Sequence, residues 1–171
     1  MAQSIHDADL HVRGTLSSNT LTIPDATVVD ADVNAAADIT ATKVNHRQAI
    51  SYRQSGGSDV AADDQLVYIV EGTDGTIASI EAVCESVPTG GDKACQVDLK
   101  KSTGGGALAT VLTGTVDFSS SDTDLVAKTG TISSASLTDG DVLQVVITVS
   151  GSTGSQADGL GVVVMIDANP L

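Results

Sequence analysis

The chain has 171 residues; 41% are hydrophobic, only 2% are aromatic, and 22 acidic against 8 basic residues give a net charge of −14. That length accommodates one core plus an appendage rather than two full cores. The charge argues against DNA or RNA as a partner, since such affinity comes largely from Lys and Arg releasing condensed counterions, and the aromatic shortage argues against a walled ligand or sugar pocket.

The acids are lopsided, with 19 Asp to 3 Glu. Asp suits turns and loop starts, which is the reading carried forward; a saline habitat, where surface charge keeps a protein dispersed, is the alternative. No apolar stretch reaches the roughly 20 residues of a membrane span, so a membrane is not expected as a partner. The opening MAQSIHDADLHVRG has neither a basic n-region nor an apolar h-region. Synthesis and assembly in the cytosol are therefore expected.

Residues 1–47 read as an arm. Leu10, Val12, Leu16, Leu21 and Ile23 supply its few large apolar side chains in a loosely alternating stretch interrupted by Gly14 and Ser17-Ser18-Asn19. A ribbon of that kind needs a surface or a partner chain to cover it, and Pro24-Asp25 ends it. From Asp30 to Val44 the pattern turns helical, with Asp30 or Asp32 as N-cap. Val29, Val33, Ala37, Thr40 and Val44 form a seam of mostly small residues over about two heptads. Such a helix is marginal alone and reasonable against copies of itself; a linker with one helical turn is the other reading.

Residues 48–171 read as an all-β globule of about eight antiparallel strands: Ala49–Gln54, Gln65–Glu71, Thr76–Ser86, Lys93–Lys101, Leu108–Phe118, Leu125–Ser133, Asp141–Ser150 and Leu160–Asp167. The segments between them, such as EGTDGT, VPTGGD and LTDGD, are rich in turn residues. Strands of this number and spacing fit a jelly roll or a related sandwich or barrel. Period-2 alternation puts Cys95, Val97 and Leu99 on one face, and likewise Leu143, Val145, Ile147 and Val149. In the last strand Leu160, Val162, Val164 and Ile166 take one parity while Val163 and Met165 occupy the other. Val146, Val67 and Ile69 are also apolar where a wet face is expected. An exposed apolar stripe of Val146, Val163 and Met165 marks a subunit contact, unless the protein's own arm covers it.

Candidate chemistry is sparse. Closing a hairpin at Thr89-Gly90 would put Cys84 opposite Cys95, near disulfide range; buried free thiols acting as small hydrophobes are the favoured alternative. No CxxC or Cys/His cluster suggests zinc. His6, His11 and His46 all fall in the arm, where no rigid neighbourhood supports a general base. Asp7, Asp9 and His11 share a side of an extended strand and could meet a metal only at a symmetry axis. Glu81 and Glu85 share a strand face but stand roughly 13 Å apart, beyond the about 9.5 Å of an inverting glycosidase pair. Ser102–Gly106 lacks the ending of a phosphate-binding loop, and Gly151-Ser152-Thr153-Gly154 lacks the spacing of a nucleophile elbow. No catalytic residue and no cofactor is expected.

The arm GTLSSNTLTIPDATVVDADVNAAADITATKVNHR, ending in the I-x-x-x-K-V pattern at Ile39–Val44, resembles segments near the start of head fibres or capsid-decoration (cement) proteins of tailed bacteriophages. VDLKKSTGGGALATVL, LTDGDVLQVVITV and GLGVVVMIDANP resemble the jelly-roll modules of that group. The resemblance implies a non-enzymatic homotrimer on the virion surface, its arm gripping the major capsid protein and its β-domain projecting outward. The chain lacks a long shaft, which favours a short knob or cement over an extended fibre. A tail-fibre tip recognising host-surface glycans is the alternative, and the missing aromatics weigh against it.

Overall fold

The computed structural model describes residues 46–72 and 74–168. They are all-β, with no helix among the described residues. The strands are β1 (His46–Arg53), β2 (Asp63–Ile69), β3 (Gly75–Ser86), β4 (Ala94–Ser102), β5 (Ala109–Thr110), β6 (Val116–Phe118), β7 (Lys128–Thr129), β8 (Ser136–Leu137), β9 (Val142–Ser150) and β10 (Asp158–Ala168). They form two antiparallel sheets: β1-β10-β3, extended by β7 and β8, and β2-β9-β4, extended by β5 and β6. We call these the first and second sheets.

Alternation decides which faces meet. Ile80, Ala82 and Cys84 of β3, with Leu160, Val162, Val164 and Ile166 of β10, turn inward from the first sheet. Cys95, Val97 and Leu99 of β4, with Leu143, Val145 and Ile147 of β9, turn inward from the second. All are at most 2% exposed and belong to one core. Burying each larger aliphatic side chain contributes on the order of 1.5–3 kcal/mol, which makes this double row the main source of cohesion. Phe118, the single phenylalanine, is fully buried on β6.

The structure departs from the sequence expectations at three places, the first being the Thr89-Gly90 hairpin. β3 and β4 lie in different sheets, so Cys84 pairs with Leu160 and Cys95 with Val149. The connecting segment is drawn away by the loop between β9 and β10: Thr89 bridges Ser155, and Asp92 accepts hydrogen bonds from the Ser152 and Thr153 amides. The Gly151–Gly154 loop likewise joins the two sheets, since β9 and β10 lie in different ones.

The second concerns the two long strands expected at Leu108–Phe118 and Leu125–Ser133. Each is reduced to short pieces. The chain leaves β4 after Thr110, buries Val111 and Leu112 in the core, and returns at Val116. Val111 still bonds Leu99, while Thr113 and Ser133 stitch the two segments together. Gly130 lets them close: a Cβ there would stand 2.8 Å from Ile80 Cγ2 and 3.0 Å from Val116 Cγ2.

The third concerns the arm boundary. His46 and Arg47 pair with Ala168 and Asp167 as the first residues of β1, so they and the exposed His46 imidazole belong to the sheet. Leu10, Val12, Leu16, Leu21, Ile23, Val29, Val33, Ala37 and Val44, the expected short helix, and Asp7, Asp9 and His11 lie outside the described residues.

Candidate functional site

The outer face of the first sheet carries the most distinctive surface among the described residues. Register sets its rows. Arg53, Gly161 and Val83 lie side by side across β1, β10 and β3; the next row is Ser51, Val163 and Glu81, and the next Ala49, Met165 and Ser79. Gly161 has no side chain where its neighbours do, so the face is hollowed between Arg53 and Val83. The result is an open groove of about 640 Å³, with Val163 on its floor and Glu81, Glu85 and Leu125 on the far side. Arg53, Glu81 and Glu85 form no ion pair among the described residues.

Leu125 is the odd residue at this lip. It is 72% exposed, and its φ of 60° makes it the one non-glycine residue in the left-handed region among the described residues. For a leucine that conformation costs on the order of 1–2 kcal/mol. Its surroundings hold it there: the Leu125 amide donates to the Cys84 carbonyl at 3.0 Å, and the Val87 amide donates to the Asp124 carboxylate at 2.8 Å. Asp122 fastens the same loop by accepting from the Ser119 amide and from Lys128, whose ammonium also lies 5.4 Å from the Phe118 ring centre. A strained backbone thus presents a large apolar side chain to solvent, beside exposed Val126 and 37%-exposed Val163.

A second groove, of about 440 Å³, runs between the edge strands β1 and β2 and also includes Arg53. Leu66, 65% exposed, lies along it. The two edges are clasped at Tyr52, whose hydroxyl donates to Asp63 at 2.7 Å and accepts from Gln54. Burial pushes the Tyr52 hydroxyl up to about 12; the Gln54 bond works the other way, and the hydrogen bond to Asp63 and the Asp63 charge add to the rise. Hydrogen bonds from Tyr52 and Gln65 hold the Asp63 carboxyl below its usual range.

The expected stripe of Val146, Val163 and Met165 does not exist as one surface. Val163 and half-buried Met165 lie on the outer face of the first sheet, whereas Val146 lies half-buried on the outer face of the second, between Asp64 and Asp98. One strand parity looks the same in either sheet, so the sequence could not separate them. The sequence does not distinguish Leu125, Leu66, Gly161 and Arg53 as site residues. Only the Gly in the middle of an apolar strand was a visible signal, since an interior glycine often marks a close approach or an opening.

The aspartates of the loops act on the backbone. Asp92 accepts from two amides and the Thr153 hydroxyl, which lowers its carboxyl to about 2. Asp141, 0% exposed, accepts from the Thr138 amide and faces Lys101 Nζ at 3.4 Å. Burial acts to raise it, but the Thr138 amide, the Thr103 side chain and Lys101 together keep it below the usual range. Its Oδ1 has no hydrogen-bond partner among the described residues. No group of three or more His, Cys, Asp or Glu residues is arranged to hold a metal among the described residues. Glu81 and Glu85 both face the groove, four residues apart on one strand, too far apart for paired-carboxylate chemistry.

No protein-family model matches the chain, and no curated protein is significantly similar to it. No helix among the described residues is long and apolar enough to cross a membrane.

Proposed function

We propose that this protein is a structural, non-enzymatic component of a tailed-bacteriophage virion. It binds the outer surface of the capsid as a homotrimer, with residues 1–45 anchoring it to the major capsid protein. The observation that carries the reading is the outer face of the first sheet. Exposed Leu125 and Val163 beside a side-chain-free notch form an apolar surface on a strongly acidic chain, and exposed apolar clusters rimmed by polar groups mark protein contacts. The trimer contact uses this face, with Val163 and Met165; Val146 lies on the outer face of the second sheet.

The strand order supports a jelly roll. β1 to β4 alternate between the sheets, as do β9 and β10, giving β1-β10-β3-β7 in one and β2-β9-β4-β5 in the other. That is the interleaving expected when one long antiparallel ribbon of paired strands is wrapped into two layers. The glycan-binding alternative gains nothing from the geometry: Phe118 and Tyr52 are buried and Tyr68 is half-buried, so no aromatic platform is exposed.

The test is co-expression of the full chain with the major capsid protein encoded in the same genome, followed by gradient sedimentation. The reading predicts that the protein travels with assembled shells and that replacing Leu10, Val12, Leu21 and Ile23 by Ser leaves it at the top of the gradient. A chain that never migrates with shells, or that binds a host glycan array, overturns the reading.

A further inference from the structure

We propose, building on the first-sheet contact of the trimer reading, that this contact is head-to-tail: the groove of one subunit receives the edge strand β2 of the next. A single surface patch meets its own copy only across a two-fold axis, which gives a pair. A ring of three needs two different patches on every subunit, each complementary to the other. The outer face of the first sheet provides one of them, and the second lies elsewhere on the same domain.

Strand β2 supplies it. Away from the first sheet and the Leu125 loop, the most exposed large apolar side chains are Leu66 and Ile69, at 65% and 64%; Leu108 follows at 40%. Leu66 and Ile69 both belong to β2, which among the described residues pairs with β9 alone and so has one open side. An open edge invites pairing with a further strand. Here the register shifts between Leu66 and Tyr68, and an irregularity of that kind breaks the even ladder an added strand needs. The contact is therefore made by side chains and does not extend the second sheet. An edge stands at a steep angle to a face, so successive face-to-edge contacts turn and can close.

The groove has the matching shape and charge. A Cβ at Gly161 would meet nothing closer than Val83 Cγ1 at 3.5 Å, so the notch is open to an aliphatic side chain from outside. Arg53 stands beside that notch in the same row, lines both grooves, and forms no ion pair among the described residues. On β2, exposed Asp64 precedes Leu66 by two residues, on the same side of the strand and about 7 Å away. A neighbour's Leu66 resting in the notch thus brings its Asp64 within reach of the receiving subunit's Arg53. Glu81 and Glu85 lie on the far side of the groove, away from that carboxylate. Leu66 and Ile69 are mostly exposed in the single subunit, so truncating both leaves its core intact while weakening the contact on the order of 1000-fold.

The experiment is sedimentation equilibrium of the full chain as an edge variant (Leu66→Ser with Ile69→Ser) and a groove variant (Val163→Glu). Each alone is expected to keep the native circular dichroism and to sediment as one 17.2 kDa protomer. Their equimolar mixture is expected to form a species of two protomers and nothing larger. The edge variant keeps an intact groove and the groove variant an intact edge, so one sound contact forms and a spoiled surface is left at either end. An edge variant that still forms the trimer, or a mixture that stays monomeric at millimolar concentration, overturns the head-to-tail contact and leaves the first-sheet contact standing. A trimer that survives Val163→Glu overturns both.

Discussion

Replacing Leu125 by glycine separates the two things that residue does. In the isolated subunit its backbone sits at a φ of 60° while the side chain is 72% exposed, so it carries conformational strain and little burial. Relief of left-handed strain recovers on the order of 1–2 kcal/mol, while the greater freedom of glycine in the unfolded chain takes back about 0.4–1 kcal/mol. The subunit should gain about 0.5–1 kcal/mol, a melting temperature higher by roughly 2–5 °C. Association moves the other way. If the proposed contact covers Leu125, losing its side chain removes up to about 2 kcal/mol per contact, on the order of a 30-fold weaker step. Thermal melts below the association range and sedimentation equilibrium above it read the two effects separately. A variant that melts lower, with assembly unchanged, would show that Leu125 supports its own subunit and would refute the reasoning.

Asp141→Ala leaves Lys101 with the Ser136 carbonyl but no counter-charge, and the Thr138 amide without its acceptor; loss of about 3 kcal/mol is expected, measured by denaturant unfolding. The depressed carboxyls of Asp63, Asp92, Asp122, Asp141 and Asp167 contribute stability that is present above the ordinary value of 3.8 and lost as pH falls through their folded values, about 2 for Asp92. Melting temperature should therefore hold to about pH 4 and fall steeply below it; a flat acid limb contradicts this. For Tyr52 the shift is upward, so its contribution is present below 10 and lost as pH rises toward 12; ultraviolet titration should show one of the two tyrosines ionising only near pH 12. Gly130→Ala must displace Ile80 or Val116 and should cost about 1–3 kcal/mol, with unfolding at unchanged stability as the contrary result.

The sequence makes the core strands legible because each carries its own period. Val97 and Leu99, Val145 and Ile147, and Val162 and Val164 alternate without interruption, and all face the core. What alternation cannot encode is which sheet a strand joins. Thr89-Gly90 has hairpin chemistry, yet its chain crosses to the other sheet because Asp92 and Thr89 bind the loop at residues 151–155. That misplaced the Cys84–Cys95 relation and merged Val146 with Val163. The segments Leu108–Phe118 and Leu125–Ser133 depart for a related reason: alternation makes Val111 and Leu112 members of a continuous strand, whereas they turn into the core between short pairings. The groove escaped detection because it depends on register, which aligns Arg53, Gly161 and Val83 from three distant strands, and on the Leu125 backbone, which composition does not reveal.

The outer face of the first sheet is the proposed contact surface between identical chains. Sedimentation equilibrium of the full chain, with Val163→Glu as its control, tests that directly. The expected mass is three times the 17.2 kDa protomer, collapsing to one protomer when Glu replaces Val163 in the groove. A native chain that remains a 17.2 kDa monomer up to millimolar concentration, or a trimer indifferent to that substitution, would contradict it.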